Sequence, residues 1–236
     1  MRGRLVRRIA RTRSQPFFAG HRAAAASYAG PMIPVPPEVQ SAPELYVRQR
    51  REMAELFGFE SRNKYAICTT DKREVAFAAE QQKGFLGALA RQFFGHWRTF
   101  SISFFGADRQ PLFSAVHPFR WFFQRLEVLD AQGRLLGVVQ QRWAWLRKSF
   151  DVLDAQGNVL LEMRSPIFSI WKFPFTRGGS EVATIEKKWS GALTELFTDK
   201  DNFRVRFTPA LSALERVLVL AAALFVDLQY FERKAE

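Results

Sequence analysis

The sequence predicts a mainly β protein: a closed or nearly closed antiparallel barrel, followed by one long apolar helix. Three observations carry this expectation. From Phe77 onward, β-rich runs alternate with short polar turns at regular spacing. One turn sequence, V-L-D-A-Q-G, occurs twice, at Val128–Gly133 and Val152–Gly157, with Asp and Gly in turn positions. The segment Leu211–Tyr230 follows Pro209, is rich in Ala and Leu, and contains the uncharged run Val217–Val226. A meander of hairpins that closes on itself leaves no unpaired edge strand, which suits a chain of this length.

The N-terminal region has a different character. Residues 1–37 contain no acidic residue and carry Arg2, Arg4, Arg7, Arg8, Arg11, Arg13 and Arg22. An Ala run (Ala23–Ala26) and the prolines Pro31, Pro34, Pro36 and Pro37 follow. The composition predicts a solvated, disordered basic tail over 1–52. It also resembles a mitochondrial presequence, or upstream DNA translated from an early start codon, with Met32 and Met53 as alternative starts. No apolar run in this region is long enough for a secretory signal.

Four hairpins are expected in series. Gly106–Gln110 joins Thr99–Phe105 to Pro111–Val116, and the two V-L-D-A-Q-G copies make the next two turns. Arg177–Ser180 joins Ser169–Phe175 to Val182–Lys188. Successive turns of a meander alternate between the two ends of the sheet, so these four polar turns share one end. The connections between them fall at the opposite end: Lys83–Trp97, Pro118–Phe123, Arg142–Lys148, Ser165–Phe168 and Ser190–Leu196. That end is rich in Phe, Trp and Arg. The whole chain has 24 Phe and 6 Trp against 4 Tyr, more aromatic side chains than one core of this size needs, which predicts that some are exposed.

Hydrophobic loops flanked by basic residues suit the headgroup and upper acyl region of a bilayer, and Trp favours that interface. The expected membrane-docking residues are Phe85, Phe93, Phe94, Trp97, Phe119, Arg120, Trp121, Phe122, Phe123, Trp143, Trp145, Arg147 and Lys148. The opposing expectation is that these aromatics plug the barrel end or cover its strands. The net charge of +12 and pI near 10.4 point to a phosphate-bearing partner, anionic lipid or nucleic acid. Charge placement separates the two. Nucleic acid wants a basic stripe along the barrel wall, and lipid wants bases ringed around exposed aromatics at one end.

Little in the chain points to bond-making catalysis. His21, His96 and His117 are the only histidines, and none is spaced with a second metal ligand. No Gly-rich phosphate loop, GxSxG elbow or HExxH motif is present. The single cysteine, Cys68, excludes a disulfide framework and a cysteine zinc site, and reads as a buried small hydrophobe.

The C-terminal third carries the most specific pattern. Lys188-Trp189-Ser190-Gly191, then Phe197-Thr198-Asp199-Lys200-Asp201-Asn202-Phe203, then an apolar helix closing with Asp227 and Phe231-Glu232, resemble the phospholipid scramblase family. A weaker match runs back to about Phe77. The resemblance implies a tubby-like barrel over 53–232, with the apolar helix through its centre and a short tail at 233–236. It also implies membrane association at the cytoplasmic face of a cell membrane, or in mitochondria if 1–37 is a presequence. The implied function is binding of anionic phospholipid and movement of phospholipid between leaflets without ATP. The alternative is a nucleic-acid-binding or regulatory tubby-like module with no transport activity.

Three further points follow from the resemblance. Animal scramblases carry acylated cysteine clusters in the loops that match the aromatic end here, and this chain has Phe and Trp instead, so acylation is not expected. The family's proposed calcium segment matches Asp199–Ala210, where Asp199, Asp201 and Asn202 are the side-chain donors. Calcium wants about 6–8 oxygen ligands. Ala210 stands where the family has its last acid, and Lys200, Arg204 and Arg206 add positive charge, so any Ca2+ site is expected to be weaker than the family's. Scramblases are also described as single-pass membrane proteins through the C-terminal segment. Val217–Val226 is half the ~20 residues that a spanning helix needs, so the buried alternative is favoured, and Asp227 then needs a buried Lys or Arg from a strand.

Overall fold

The computed structural model describes residues 33–50, 61–81, 99–169, 171–188 and 202–230. Twelve antiparallel strands close into one barrel: β1 (Glu44–Gln49), β2 (Ser61–Cys68), β3 (Glu74–Gln81), β4 (Phe100–Gly106), β5 (Pro111–His117), β6 (Arg125–Asp130), β7 (Leu135–Gln141), β8 (Arg147–Asp154), β9 (Val159–Pro166), β10 (Lys172–Arg177), β11 (Ser180–Lys188) and β12 (Asn202–Phe207). Each strand pairs with its neighbours in sequence, and β1 closes the ring against β12. A short helix α1 (Pro37–Ser41) precedes β1, and the long helix α2 (Ala213–Tyr230) follows β12. This is the architecture that the tubby-like resemblance implies.

The two-residue period of a strand sorts side chains into a wet wall and a dry interior. In β6, Leu126, Val128 and Asp130 are buried, while Arg125, Glu127 and Leu129 are only half-buried. Inward side chains from all twelve strands, from Leu45 and Val47 on β1 round to Phe203, Val205 and Phe207 on β12, form one cluster with α2. Val217 to Val226 are each no more than 2% exposed, so the helix is buried on every side. No helix among the described residues is long and apolar enough to cross a membrane. At Gly137 on β7 an added Cβ would lie 2.9 Å from Leu218 Cδ1 and 2.5 Å from the Leu153 carbonyl oxygen, so glycine admits the helix at that point.

The helix starts at a capping box. Ser212 Oγ accepts from the Glu215 N–H (3.3 Å), and Glu215 Oε2 accepts from the Ser212 N–H (2.9 Å). Arg177 on β10 also pairs with Glu215. Arg216, in the next position, is buried over the Phe207 ring and donates to the Ala42 carbonyl (2.6 Å).

The repeated turn sequence yields one repeated geometry. Asp130 Oδ1 accepts from the N–H groups of Gln132 and Arg134 at 2.9 and 2.8 Å. Asp154 Oδ1 accepts from those of Gln156 and Asn158 at the same distances. Gly133 and Gly157 take φ values of +79° and +88°, which glycine adopts at least cost.

Two expectations need correction. Residues 33–50 do not belong to an N-terminal tail. Ile33, Val35 and Val39 join the barrel core, and β1 pairs with both β2 and β12. The Arg and Pro content of the flanking sequence hid this short strand, whose inward positions Leu45 and Val47 are only two residues. The meander also begins before Phe77, because a fifth polar turn at Thr69–Arg73 joins β2 to β3.

A chain started at Met53 lacks β1 and leaves β2 and β12 as open edges. We expect it to aggregate or lack a cooperative melting transition, whereas a chain started at Met32 melts cooperatively. Circular dichroism melts of the two forms check this.

Candidate lipid-facing rim

Among the described residues, the end of the barrel opposite the polar turns is formed by the connections β5–β6, β7–β8 and β9–β10. Among the described residues, the exposed large hydrophobics are Phe119, Trp121, Phe122, Phe123, Trp143, Trp145, Leu146, Ile167, Phe168, Trp171 and Val159. All but Val159 lie in these three connections. Exposure is high at their tips: 80% for Phe122, 76% for Trp145 and 83% for Phe168. Leu146 adopts a left-handed backbone (φ +58°), a conformation that costs a non-glycine residue roughly 1 kcal/mol or more, while its side chain is exposed.

The loop bases are fixed by polar groups just inside the barrel mouth. His117 is fully buried, stacks on Phe100 with ring centroids 4.8 Å apart, and donates from Nε2 to Gln124 Oε1 (2.7 Å). The Gln124 N–H donates to Gln141 Oε1 (2.9 Å), and the Gln141 N–H donates to the Gln124 carbonyl (2.8 Å), which ties the β5–β6 loop to β7. The Arg142 N–H donates to the Ser149 carbonyl (2.8 Å) and closes the β7–β8 loop. The Ile167 N–H donates to the Leu146 carbonyl (3.2 Å), joining that loop to the next. Ser165 Oγ donates to the Lys172 carbonyl (3.0 Å) across the β9–β10 loop. The aromatic tips therefore stand on bonded bases.

Of the residues expected to dock, Phe119, Arg120, Trp121, Phe122, Phe123, Trp143, Trp145 and Arg147 come together on this rim and are exposed. Arg120 and Arg147 have no ion-pair partner among the described residues. Lys148 is a correction. As the second residue of β8 it points inward by strand alternation, is 7% exposed, lies over the Phe173 ring (5.0 Å) and donates to the Ser169 carbonyl (3.2 Å). Phe85, Phe93, Phe94 and Trp97 lie outside the described residues. Leu146, Ile167, Phe168 and Trp171 complete the rim and were not singled out. The alternation of polar and apolar connections already placed Ser165–Phe168 at this end.

Beneath the rim, α2 is anchored to the wall. Asp227 accepts from Tyr65 Oη on β2 (3.0 Å) and from Lys187 Nζ on β11 (3.3 Å), with Lys187 itself over the Phe203 ring. This is the buried lysine that the carboxylate was expected to need. On the outer wall the basic residues are largely matched by acids: Arg125 with Glu127, Arg142 and Arg164 with Asp151, and Arg204 and Arg206 with Glu186. Burial opposes ionisation of Glu186, but the two guanidinium groups outweigh it and hold its pKa below the usual value. Burial, with Glu74 nearby, pushes the Cys68 thiol up, as suits an inert core cysteine.

The calcium segment has a definite constraint. Asp199 and Asp201, and the side chain of Asn202, lie outside the described residues. Residues 202–207, however, form the extended strand β12, rising about 3.3 Å per residue, roughly 20 Å in all. Position 210 thus follows the end of β12 that lies at the polar turns, away from Asn202 at the start of the strand. Among the described residues no cluster of His, Cys, Asp or Glu could hold a metal.

Fold and surface together define a barrel with a charged, water-facing wall, a core filled by its own helix and one apolar rim. The Scramblase family model matches residues 28–233, and the chain belongs to that family. It is 26% identical to phospholipid scramblase 1 of Mus musculus over 228 residues, covering 86% of this chain and 68% of that protein. It is 24% identical to a phospholipid scramblase family protein of Schizosaccharomyces pombe over 227 residues, covering 80% of this chain and 59% of that one. A solved structure of an Arabidopsis thaliana protein superposes with a TM-score of 0.46 at 14% identity, covering 82% of this chain and 97% of that one.

Replacing Lys187 by Met leaves Asp227 buried without its cation. We expect a loss of about 3–5 kcal/mol, of which the Lys187→Met/Asp227→Asn double variant recovers most. Urea unfolding of the two variants checks this.

Proposed function

We propose that this chain binds anionic phospholipid surfaces through the aromatic rim, and that it supports movement of phospholipid between leaflets without ATP. The observation that carries the reading is the confinement of the exposed large hydrophobics among the described residues, with one exception, to three adjacent loops at one barrel end. Water-exposed Trp and Phe of this kind gain free energy at the headgroup boundary. Arg120 and Arg147 flank the tips and add about 1 kcal/mol each at an anionic surface. Family membership supports phospholipid as the partner. Membrane association at a cytoplasmic face fits a chain whose single cysteine is a buried thiol.

Nucleic acid is the weaker reading. It calls for unmatched bases along the wall, and the described wall arginines are mostly paired with carboxylates. Calcium contributes, on this reading, only through Asp199, Asp201 and Asn202. No bond-making step is part of the proposal.

Four of the six tryptophans, Trp121, Trp143, Trp145 and Trp171, are exposed on the rim, so the chain carries its own reporters. Adding the full chain to phosphatidylcholine/phosphatidylserine vesicles should shift tryptophan emission to the blue, and brominated acyl chains should quench it. A Phe122→Ser/Trp145→Ser/Phe168→Ser variant with an unchanged melting temperature should lose vesicle binding by tenfold or more. A well-folded wild type that neither shifts nor co-sediments with these vesicles would sink the proposal.

A further inference from the structure

We propose that this chain enters a single leaflet as a wedge at the barrel rim, and that any phospholipid movement it supports runs along the outside of that rim and not through the barrel. The inference rests on the lipid-docking reading above and concerns which surfaces meet lipid and how deeply.

The barrel interior is closed to a headgroup. Val217 to Val226 are at most 2% exposed and share one core with inward side chains of every strand. Near the rim, Phe225 of α2 meets Phe100, His117 and Phe150 with ring centroids 6.5, 5.5 and 5.8 Å apart. Two residues further, about half a turn, Asp227 is bonded to the wall through Tyr65 on β2 and Lys187 on β11, with β1 and β12 between them. Ile33, Val35 and Val39 join the same core. A phosphate-bearing group passing along this axis would have to displace the helix.

The outer wall is equally unsuited to hydrocarbon. A membrane-spanning barrel turns an apolar band outward and polar residues inward. This barrel has the opposite polarity. Its inward positions are mostly apolar, while Arg125, Glu127, Glu162, Arg164, Arg204 and Arg206 occupy outward positions on its strands. Glu162 and Arg206 are 54% and 45% exposed in their side chains. The hydrocarbon core is about 30 Å thick. From the tip at Phe122 to the first wall charge at Arg125 is three residues, and the chain bends over 121–123, so the two lie at most about 10 Å apart. That matches the ~5–10 Å to which interfacial elements enter the headgroup and acyl boundary. The charges at Arg125 and Arg147 therefore act as stops, and the apolar tips above them disorder the acyl chains of the leaflet they enter. Headgroups lie against Arg120 and Arg147, beside that disturbed packing.

The test uses the full chain with Cys68→Ala and single cysteines at rim positions (Leu146→Cys, Phe168→Cys) or wall positions (Glu162→Cys, Arg206→Cys). Each variant is first shown to melt like the parent and is then given an environment-sensitive fluorophore. On phosphatidylcholine/phosphatidylserine vesicles, the rim labels should brighten several-fold and be quenched by nitroxide lipid in the outer leaflet. They should not respond to the same quencher confined to the inner leaflet, and the wall labels should not change. Wall labels that enter lipid, or rim labels reached from the inner leaflet, would overturn the wedge while leaving docking intact. Rim labels that stay silent while tryptophan emission still shifts would overturn it too. Silence of both labels and tryptophans would mean that the docking reading itself had failed.

Discussion

An apolar helix with no wet face must be surrounded, and the rest of this structure follows from how α2 is surrounded. Leu, Val, Ala and Phe occupy every side of Val217–Val226, so packing against one sheet would leave half of it in water. Twelve strands curl fully around it, with Gly137 giving the close approach and β1 completing the ring. The helix also has a fixed direction. Its capped start, Ser212–Glu215, lies beside Arg177 at the polar end, and its last turn brings Asp227 to Lys187 and Tyr65 beneath the rim. A buried carboxylate without a partner is strongly unfavourable, so this contact fixes the helix in register as well as in place.

Filling the barrel with its own chain has a functional consequence. Larger barrels commonly enclose ligand cavities or channels, whereas here the interior is core. What the protein offers to other molecules is therefore its outside, and the two ends of that outside differ. The Asp-Gly turns close one end with local hydrogen bonds and leave it polar. The opposite connections carry Phe and Trp into water on bases bonded through Gln124, Gln141, Ser149 and Ser165. Ordered loops that expose apolar tips lose less conformational freedom on meeting a surface than mobile ones would. The excess of Phe is thereby divided between two uses. Phe104, Phe173, Phe175, Phe203 and Phe225 fill the core, and Phe119, Phe122, Phe123 and Phe168 stand on the rim.

Much of this was legible in the sequence because the signals are local. Asp-Gly turns and two-residue alternation report hairpins directly, and strict alternation of turn type placed the aromatic connections at one end. The need of Asp227 for a basic partner was also legible, since it is a rule about burial, but the identity of Lys187 was not, because 40 residues separate the two. β1 was hidden because its evidence is long-range: Val47 is recognisable as a strand residue mainly through its pairing with Ile67 and Phe203. Lys148 was misplaced because its neighbours Trp145 and Arg147 are exposed, and the strand begins between the loop and the lysine. The register of β8, which decides this, depends on the pairing of Lys148 with Ser165.

The account stands or falls on whether α2 stays inside the barrel when the protein meets a membrane. Hydrogen–deuterium exchange of the full chain, free and bound to phosphatidylcholine/phosphatidylserine vesicles, measures this directly. The account predicts that the amides of 217–226 are among the slowest to exchange in both states, with new protection on binding confined to the rim connections, 118–123, 142–147 and 167–171 among them. Faster exchange in β6 and β7, together with altered protection of 217–226 on binding, would mean that the helix leaves the barrel for the bilayer, and would contradict it.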